Sequence, residues 1–252
     1  MINSTEIFGF SVNHGENEAI LKDIELLVDA KYSGGIAFMN SHMIYEAKHD
    51  ASFYAQLQEF THIFPDGVPL LKSLYWLNGI NSERIAGNDL IFSLIKLAFT
   101  KKLKLTFYGG SELLRRKIEK RLNSDYQGIQ AQLISPPFRD LTSDEREKYI
   151  NKINDFNPSM VLVGLGCPKQ EIWIASHISK IKAPMFGLGG AFALFAGVDT
   201  RAPLWMRNLS LEWLYRMALE PGRLWKRYLV TNSYFIYLLL REFWRIRVRG
   251  KV

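Results

Sequence analysis

Residues 159–174, SMVLVGLGCPKQEIWI, decide the fold, because a short apolar run stops at glycines and turns into a helix start. Residues 160–163 are uninterrupted apolar side chains, partly β-branched, and this favours a strand buried on both faces of a parallel sheet. Gly164 and Gly166 then allow the backbone to turn sharply. The stretch therefore predicts a strand, a glycine turn and a helix in immediate succession.

The helix start holds the first candidates for a binding site. Pro168 suits the first helical position, where its missing N–H costs nothing, so Gln170 and Glu171 fall in the first turn beside free backbone donors. In an open α/β sheet such turns lie at the carboxyl ends of strands, where ligands usually bind. We expect the active site to be assembled here.

The rest of the chain repeats this pattern at intervals typical of βαβ units. Further strands are predicted at residues 36–39, 62–64, 104–108, 129–134 and 185–190. Glycine pairs follow or end two of them, at Gly109-Gly110 and Gly189-Gly190, and are compatible with a bound phosphate. We predict a doubly wound, Rossmann-like parallel sheet in a body of residues 1–200, with lobes at roughly 1–100 and 101–200 and a cleft between them.

Capping side chains predict where helices begin. The predicted helices run from Asn40-Ser41 to about Phe60, from Asn81 through Ala98, from Leu113 to Leu122 and from Ser143 to about Phe156. The turn Pro65-Asp66-Gly67 places a carboxylate at its apex, and Asp66 is either a turn cap or a functional group.

Composition limits the class of protein. The chain is 48% hydrophobic and 23% charged, as in an ordinary globular protein. Its one cysteine, Cys167, cannot form an internal disulfide, so a reducing cytoplasm is expected. The first 20 residues lack the basic start and apolar region of a signal peptide, and none is expected.

The net charge of +7 is concentrated at the C-terminus. Residues 201–252 hold eleven Lys and Arg against three Asp and Glu, whereas residues 1–200 are close to neutral. Four of the six tryptophans also lie in this segment. A basic, aromatic appendage on a neutral body indicates contact with a polyanionic surface.

The appendage has helical periodicity, broken at Pro221-Gly222. An apolar stripe is flanked by arginines, which is typical of a helix lying on a membrane surface. Its members are Ile236, Leu240, Phe243, Trp244 and Val248, beside Arg241, Arg245 and Arg249. The longest uncharged stretch, residues 228–240, is shorter than the roughly 20 apolar residues that span a bilayer. The alternative is that the stripe packs against the body. Nucleic acid is not expected as a partner, because no nucleic-acid-binding motif occurs.

Several stretches together resemble the WecG/TagA/CpsF family of bacterial glycosyltransferases. The matching text is FPDG (64–67), ERIAGNDL (83–90), FYGG (107–110), VGLGCPKQEIWI (163–174), GLGGAF (187–192), FAGVDTRAP (195–203) and LEWLYRMALEPGR (211–223). The stretches occur in the family's order and cover most of the chain. PKQE followed by RAP and LEWLYR is far more specific than a single glycine turn.

The resemblance implies an enzyme that moves a sugar from a UDP-sugar to a polyprenyl-diphosphate-linked saccharide, with inversion at the anomeric carbon. It implies a peripheral protein at the cytoplasmic face of the inner membrane, active in surface polysaccharide synthesis. A homo-oligomer is left open.

The resemblance also implies roles for individual residues. It makes Asp66 the catalytic base and gives Arg84 and Gln170 a place at the donor diphosphate or in the active site. The other implied substrate-binding residues are Asn40, Gly109, Gly110, Gly164, Glu171, Gly189, Gly190, Arg216, Arg223 and Arg227. Structural alternatives exist: Arg84 could pair with Asp89, and Gln170 and Glu171 could be helix caps.

The residue chemistry agrees with inverting transfer. One carboxylate takes the proton of the acceptor hydroxyl, and guanidinium groups stabilise the negative charge that grows on the departing UDP. No D-x-D motif occurs and the five histidines show no ligand spacing, so we expect a metal-independent reaction without cofactors.

Two departures from the family's pattern bear on the donor sugar. The first βα turn usually reads Thr-x-Asn, but here Phe38 stands at the threonine position before Asn40. Ala193 stands where the family usually has Asp. N-acetylmannosamine and its uronic acid are familiar donors in the family, and glucose or another hexose is equally open.

Two rival functions remain at this level. The first is a nucleotide-sugar-binding subunit of an assembly complex that has lost catalysis, and the losses at Phe38 and Ala193 favour it. The second is an enzyme using a dinucleotide or S-adenosylmethionine, which is weakened because no clear G-x-G-x-x-G with a following acidic residue occurs.

Overall fold

The computed structural model describes residues 2–203, 205–206 and 211–249, with backbone only for residues 223 and 247–249. The elements of the first half are β1 (Asn3–Ile7), β2 (Phe10–His14), α1 (Asn17–Asp29), β3 (Gly34–Met39), α2 (Ser41–His49), α3 (Ala51–Leu57), β4 (His62–Pro65), α4 (Val68–Asn78) and α5 (Gly87–Thr100). Those of the second half are β5 (Leu105–Gly109), α6 (Glu112–Asp125), β6 (Ala131–Ile134), α7 (Ser143–Phe156), β7 (Met160–Gly164), α8 (Lys169–Ala175), β8 (Pro184–Gly187), α9 (Ala191–Phe195), α10 (Glu212–Leu219) and α11 (Pro221–Arg249).

Six strands form one parallel sheet in the order β4-β3-β8-β7-β5-β6, which confirms the predicted Rossmann-like α/β fold. The two halves of the chain meet where β3 pairs with β8. The boundaries proposed for the lobes and the appendage stay predictions.

Both faces of the sheet are covered, as the apolar run at residues 160–163 predicts. All four of these side chains are fully buried, and neighbours along β7 face opposite sides. Val161 and Val163 lie in a core with α2, α3, α8 and the β1-β2 hairpin, whereas Leu162 lies in a core with α1, α5 and α9. Because successive side chains of β7 point to opposite faces of the sheet, this central strand contributes to two separate hydrophobic cores.

Some predicted helix boundaries were wrong because the side chains expected to begin the helix form hydrogen bonds with distant parts of the chain. The helix expected to begin at Asn81 begins at Gly87, since residues 81–86 are held against the N-terminal segment. There Glu83 accepts a hydrogen bond from the Asn17 backbone at 2.7 Å, and Ser82 Oγ accepts one from the Gly15 backbone at 3.2 Å. Residues 81–86 are therefore a non-helical segment that is hydrogen-bonded to the chain between the end of β2 and the start of α1.

Caps explain the remaining differences in helix boundaries. Asp50 accepts hydrogen bonds from the next helical turn and divides the helix expected up to Phe60 into α2 and α3. Thr142, one residue before the expected Ser143, forms a capping box with Glu145. The sequence-based interpretation also missed the antiparallel β1-β2 hairpin.

The C-terminal segment forms two helices with the predicted break between them. Pro221 begins α11, as its missing N–H allows. This helix packs on α2 and α4 and buries one stripe of side chains, consisting of Leu224, Thr231, Phe235 and Leu238. No helix within residues 2–203, 205–206 and 211–249 is both long and apolar enough to cross a membrane.

The opposite side of α11 remains uncovered. We call Leu229, Ile236, Leu240 and Trp244 the outer face; these side chains are 56–71% exposed. The alternative that this apolar stripe packs against the body is therefore wrong for Ile236, Leu240 and Trp244. Val248 and Arg249 lie outside the described side chains.

Candidate active site

A cavity of about 600 Å³ opens at the carboxyl ends of β3, β4, β7 and β8 and is closed on its far side by α10 and α11. Parallel strands deliver their following turns to this edge of the sheet, which is where ligands bind in such folds. Eight predicted site residues line the cavity, namely Asn40, Asp66, Arg84, Gln170, Gly189, Gly190, Arg216 and Arg227. The appendage thus completes a site that the sheet begins.

Asp66 follows β4 and faces the cavity with about a quarter of its side chain exposed. Its backbone N–H bonds to the Met39 carbonyl at 2.7 Å, which fixes the turn against β3. Burial raises the pKa of Asp66 to about 6, and Glu212 adds to the effect, although Arg84 offsets part of it. The Arg84 guanidinium lies 3.7 Å from Asp66 Oδ1. A carboxylate with such a pKa can accept a proton near neutral pH.

Arg84 is held mainly by the appendage. Its Nη2 lies 3.0 Å from Glu212 Oε2, and Asn88 Nδ2 donates to the other oxygen of Glu212 at 3.4 Å. Burial disfavours the charged form of Arg84, yet the carboxylates of Asp66 and Glu212 raise its pKa. The alternative pairing of Arg84 with Asp89 was wrong, because Asp89 instead accepts from Arg201 at 2.6 Å.

Two arginines of the appendage reach the cavity. Arg216 of α10 lies against the glycine turn after β8, since a Cβ at Gly190 would be 3.1 Å from Arg216 Nη2. The guanidinium of Arg227 in α11 lies 5.7 Å from the centroid of the Tyr228 ring, and its Nε has no hydrogen-bond partner among the described residues. Arg223 is not among the residues whose side chains the structure describes. Arg84, Arg216 and Arg227 give the cavity a concentration of guanidinium groups suited to a diphosphate.

Asn40 and Gln170 both line the cavity while making structural bonds. The Asn40 side chain caps α2, accepting from the backbones of His42 and Met43 at 3.1 Å, as predicted. Gln170 Oε1 accepts from the backbones of Gly166 and Gly189. Each side chain therefore holds a turn at the cavity in a fixed shape.

Four predicted substrate-binding residues do not line the cavity. They are Gly109, Gly110, Gly164 and Glu171. Gly109 has φ +118°, and a Cβ there would lie 2.6 Å from the Gly164 carbonyl oxygen. At Gly164 a Cβ would lie 2.5 Å from the Phe192 ring. These two glycines let β5, β7 and α9 approach closely, and Glu171 is fully buried behind the cavity wall.

Replacing Gly164 with Ala should therefore act on stability before it acts on binding. The added methyl group collides with the buried Phe192 ring, so we expect the free energy of unfolding to fall by about 1–3 kcal/mol. Denaturant unfolding measures this. Gly222→Ala is the control, because nothing lies within 4 Å of its Cβ position and its backbone is not in the left-handed region. An unchanged unfolding midpoint with weakened ligand binding would contradict this interpretation.

Both departures from the family pattern lie in the cavity lining. Phe38 is the penultimate residue of β3 and is nearly fully buried, and Ala193 lies on α9. Together with Leu188 they give this wall an apolar surface where polar groups were expected. The sequence-based interpretation missed Glu212 and Asn88, although the acid within LEWLYR was a visible signal for the first. Among the described residues no group of three His, Cys, Asp or Glu is arranged to hold a metal ion.

A family model described as the glycosyl transferase WecG/TagA/CpsF family matches residues 5–249. The chain belongs to this family. The resemblance carried by the motifs is thus confirmed over nearly the whole chain.

Three similar bacterial proteins share one name. In Bacillus subtilis (strain 168) and in Bacillus spizizenii, proteins named N-acetylglucosaminyldiphosphoundecaprenol N-acetyl-beta-D-mannosaminyltransferase are 32% identical over 85% of this chain and 82% of their own length. A protein of the same name in Staphylococcus aureus (strain MRSA252) is 28% identical over 76% of this chain and 73% of its own length. The roles of individual residues in this WecG/TagA/CpsF chain stay predictions.

Proposed function

We propose that this chain is an inverting glycosyltransferase that moves a sugar from a UDP-sugar to a polyprenyl-diphosphate-linked saccharide in bacterial surface polysaccharide synthesis. The observation that carries the proposal is Asp66, a carboxylate with a raised pKa, facing a cavity that also holds Arg84, Arg216 and Arg227. The names of the relatives support a lipid-diphosphate-linked acceptor.

The chemistry follows from these groups. Asp66 takes the proton of the acceptor hydroxyl as that oxygen forms a bond to the anomeric carbon of the donor sugar. The bond from this carbon to the β-phosphate oxygen breaks on the opposite face, and UDP leaves with the electron pair. Arg84, Arg216 and Arg227 stabilise the negative charge that grows on the diphosphate.

The donor sugar is proposed within a class. The relatives' names support N-acetylmannosamine, whereas the apolar wall formed by Phe38, Leu188 and Ala193 leaves glucose or another hexose open. A wall of this kind offers no hydrogen bond to a sugar hydroxyl, so it favours donors with an apolar substituent or edge at that position.

We also propose that the protein is peripheral to the inner membrane through α11. The outer face presents large apolar side chains to solvent, with Arg241 and Arg245 on the same helix, and this arrangement suits the interface of an anionic bilayer. The protein would then bind the lipid-linked acceptor at the membrane that contains it.

The test is UDP release from a panel of UDP-hexoses and UDP-N-acetylhexosamines with the full-length protein, a polyprenyl-diphosphate-saccharide and added EDTA. Acceptor-dependent release with one donor supports the proposal, and activity in EDTA supports metal independence. UDP binding without turnover of any donor would instead favour a non-catalytic nucleotide-sugar-binding subunit.

The pH profile of transfer should follow Asp66. Because the base must be ionised, kcat/KM should rise about tenfold per pH unit below the pKa of about 6 and level off above about pH 7. Steady-state rates from pH 4.5 to 8.5 measure this, with UDP affinity followed over the same range as a control for donor binding. A flat profile below pH 6 would argue against Asp66 as the base.

A further inference from the structure

One side-chain oxygen joins the two glycine turns on the β7 and β8 side of the cavity. Gln170 Oε1 accepts hydrogen bonds from the backbone N–H of Gly166 at 3.1 Å and of Gly189 at 3.0 Å. Gly166 belongs to the turn after β7, and Gly189 to the turn after β8. The spacing of the two turns therefore depends on which end of the Gln170 amide points at them.

The neighbouring carboxylate anchors the other end of this amide. Glu171 Oε1 accepts from Gln170 Nε2 at 2.7 Å, and Glu171 is fully buried. An amide can rotate by half a turn and exchange its oxygen for its nitrogen, but an ionised carboxylate only accepts hydrogen bonds. The N–H groups of Gly166 and Gly189 only donate, so the two turns and Glu171 favour the same orientation, and Glu171 anchors the amide at its nitrogen end.

Burying a carboxylate is costly, and this one is only partly compensated. Burial raises the pKa of Glu171 to about 7, and its Oε2 has no hydrogen-bond partner among the described residues. Glu171 itself does not line the cavity; its contacts there run through Gln170 and Cys167, which do.

The surrounding glycines leave room for this pair. A Cβ at Gly187 would lie 3.1 Å from Gln170 Nε2 and 3.3 Å from Glu171 Oε1, and a Cβ at Gly189 would lie 2.9 Å from Gln170 Oε1. Side chains at these positions would push the amide away from the turns. The end of β8 and the turn after it therefore leave space for the Gln170–Glu171 pair.

We propose that Glu171 is a positioning residue, which holds the Gln170 amide so that Oε1 fixes the two glycine turns in the shape that receives the donor nucleotide. This inference rests on the proposed function for the identity of the ligand. It replaces the expectation that Glu171 itself binds substrate.

Two substitutions separate orientation from simple burial. Glu171→Leu removes the acceptor for Gln170 Nε2, so we expect the donor KM to rise tenfold or more with a smaller change in kcat. Glu171→Gln retains an oxygen that can accept this bond, so donor KM should stay within about threefold of wild type. Equal loss in both variants would overturn the proposal.

A double-mutant cycle tests whether Glu171 acts through Gln170. In a Gln170→Ala background, Glu171→Leu should cause little additional change in donor KM, because the amide that it orients is already gone. An unchanged tenfold effect in that background would show an independent role and overturn the proposal.

Amide hydrogen exchange gives a readout that needs no turnover. The N–H groups of Gly166 and Gly189 should lose protection in Glu171→Leu and keep it in Glu171→Gln. If Glu171→Leu does not fold, Glu171→Asp takes its place, because its shorter carboxylate keeps the charge but falls short of Gln170 Nε2. Protection unchanged in the leucine or aspartate variant overturns the proposal, whereas failure of wild-type transfer with these protection changes present overturns only the proposed function.

Discussion

Replacing Asp66 with Asn should lower the rate of sugar transfer by about 10²–10⁴-fold, because the amide cannot take the proton of the attacking hydroxyl. The substitution keeps the size of the side chain beside Arg84, so UDP affinity should change little. Transfer is measured as acceptor-dependent UDP release, and affinity by calorimetry with UDP. A variant that keeps more than a tenth of wild-type transfer would contradict the role of Asp66 as base.

The matched control is Asp199→Asn. Asp199 also lines the cavity, but its side chain is exposed to solvent. Its substitution removes the same charge from the same cavity and should leave transfer within a few-fold of wild type. A comparable loss in both variants would indicate that cavity charge, rather than proton transfer, is what Asp66 supplies.

The same substitution should stabilise the fold at alkaline pH. The pKa of Asp66 is about 6 when folded and 3.8 in the reference state, so ionisation above pH 6 disfavours the folded protein. We expect Asp66→Asn to raise the free energy of unfolding by on the order of 2 kcal/mol at pH 8, with the gain vanishing near pH 4. Denaturant titrations at the two pH values measure the difference. A less stable variant at pH 8 would contradict the raised pKa.

Replacing Ile236, Leu240 and Trp244 together with Ser should reduce binding to anionic vesicles by 10²-fold or more. These side chains recur four residues apart on the outer face of α11 and are each more than half exposed. Inserting such a side chain into a bilayer contributes roughly 1–3 kcal/mol, so the loss of three is large. Sedimentation with phosphatidylglycerol vesicles measures the binding.

The control replaces three other exposed apolar residues with Ser, namely Leu26, Leu113 and Phe138, which are 60–87% exposed and lie elsewhere on the molecule. Vesicle binding should survive this change. Transfer to a short, water-soluble acceptor should persist in both triple variants, whereas transfer to vesicle-bound acceptor should fall only in the α11 variant. Equal vesicle binding by both would argue against α11 as the membrane contact.

Local patterns were enough to predict the sheet. Apolar, β-branched runs such as residues 160–163 favour buried strands, and the glycines after them mark the turns at the carboxyl edge. The break at Pro221 was equally predictable, because a missing N–H is tolerated only at a helix start. These features depend on the residues next to one another in the chain.

Contacts between distant segments were not predictable in this way. The start of α5 moved to Gly87 because Ser82 and Glu83 bond to the N-terminal segment, and the partner of Arg84 proved to be Glu212. The motifs likewise grouped Gln170 with Glu171, but only the fold places one on the cavity wall and the other behind it. Residue types indicated which chemistry was possible, whereas tertiary packing determined which side chains pair with each other and which line the cavity.

The bond between Arg84 and Glu212 joins residues 128 positions apart. At translation rates of roughly 5–20 residues per second, a ribosome needs about 6–26 s after adding Arg84 to reach Glu212. Until then Arg84 lacks this carboxylate partner, and the cavity lacks Arg216 and Arg227. A nascent chain can build its sheet early, but the cavity receives Arg216 and Arg227 only after synthesis has passed these positions.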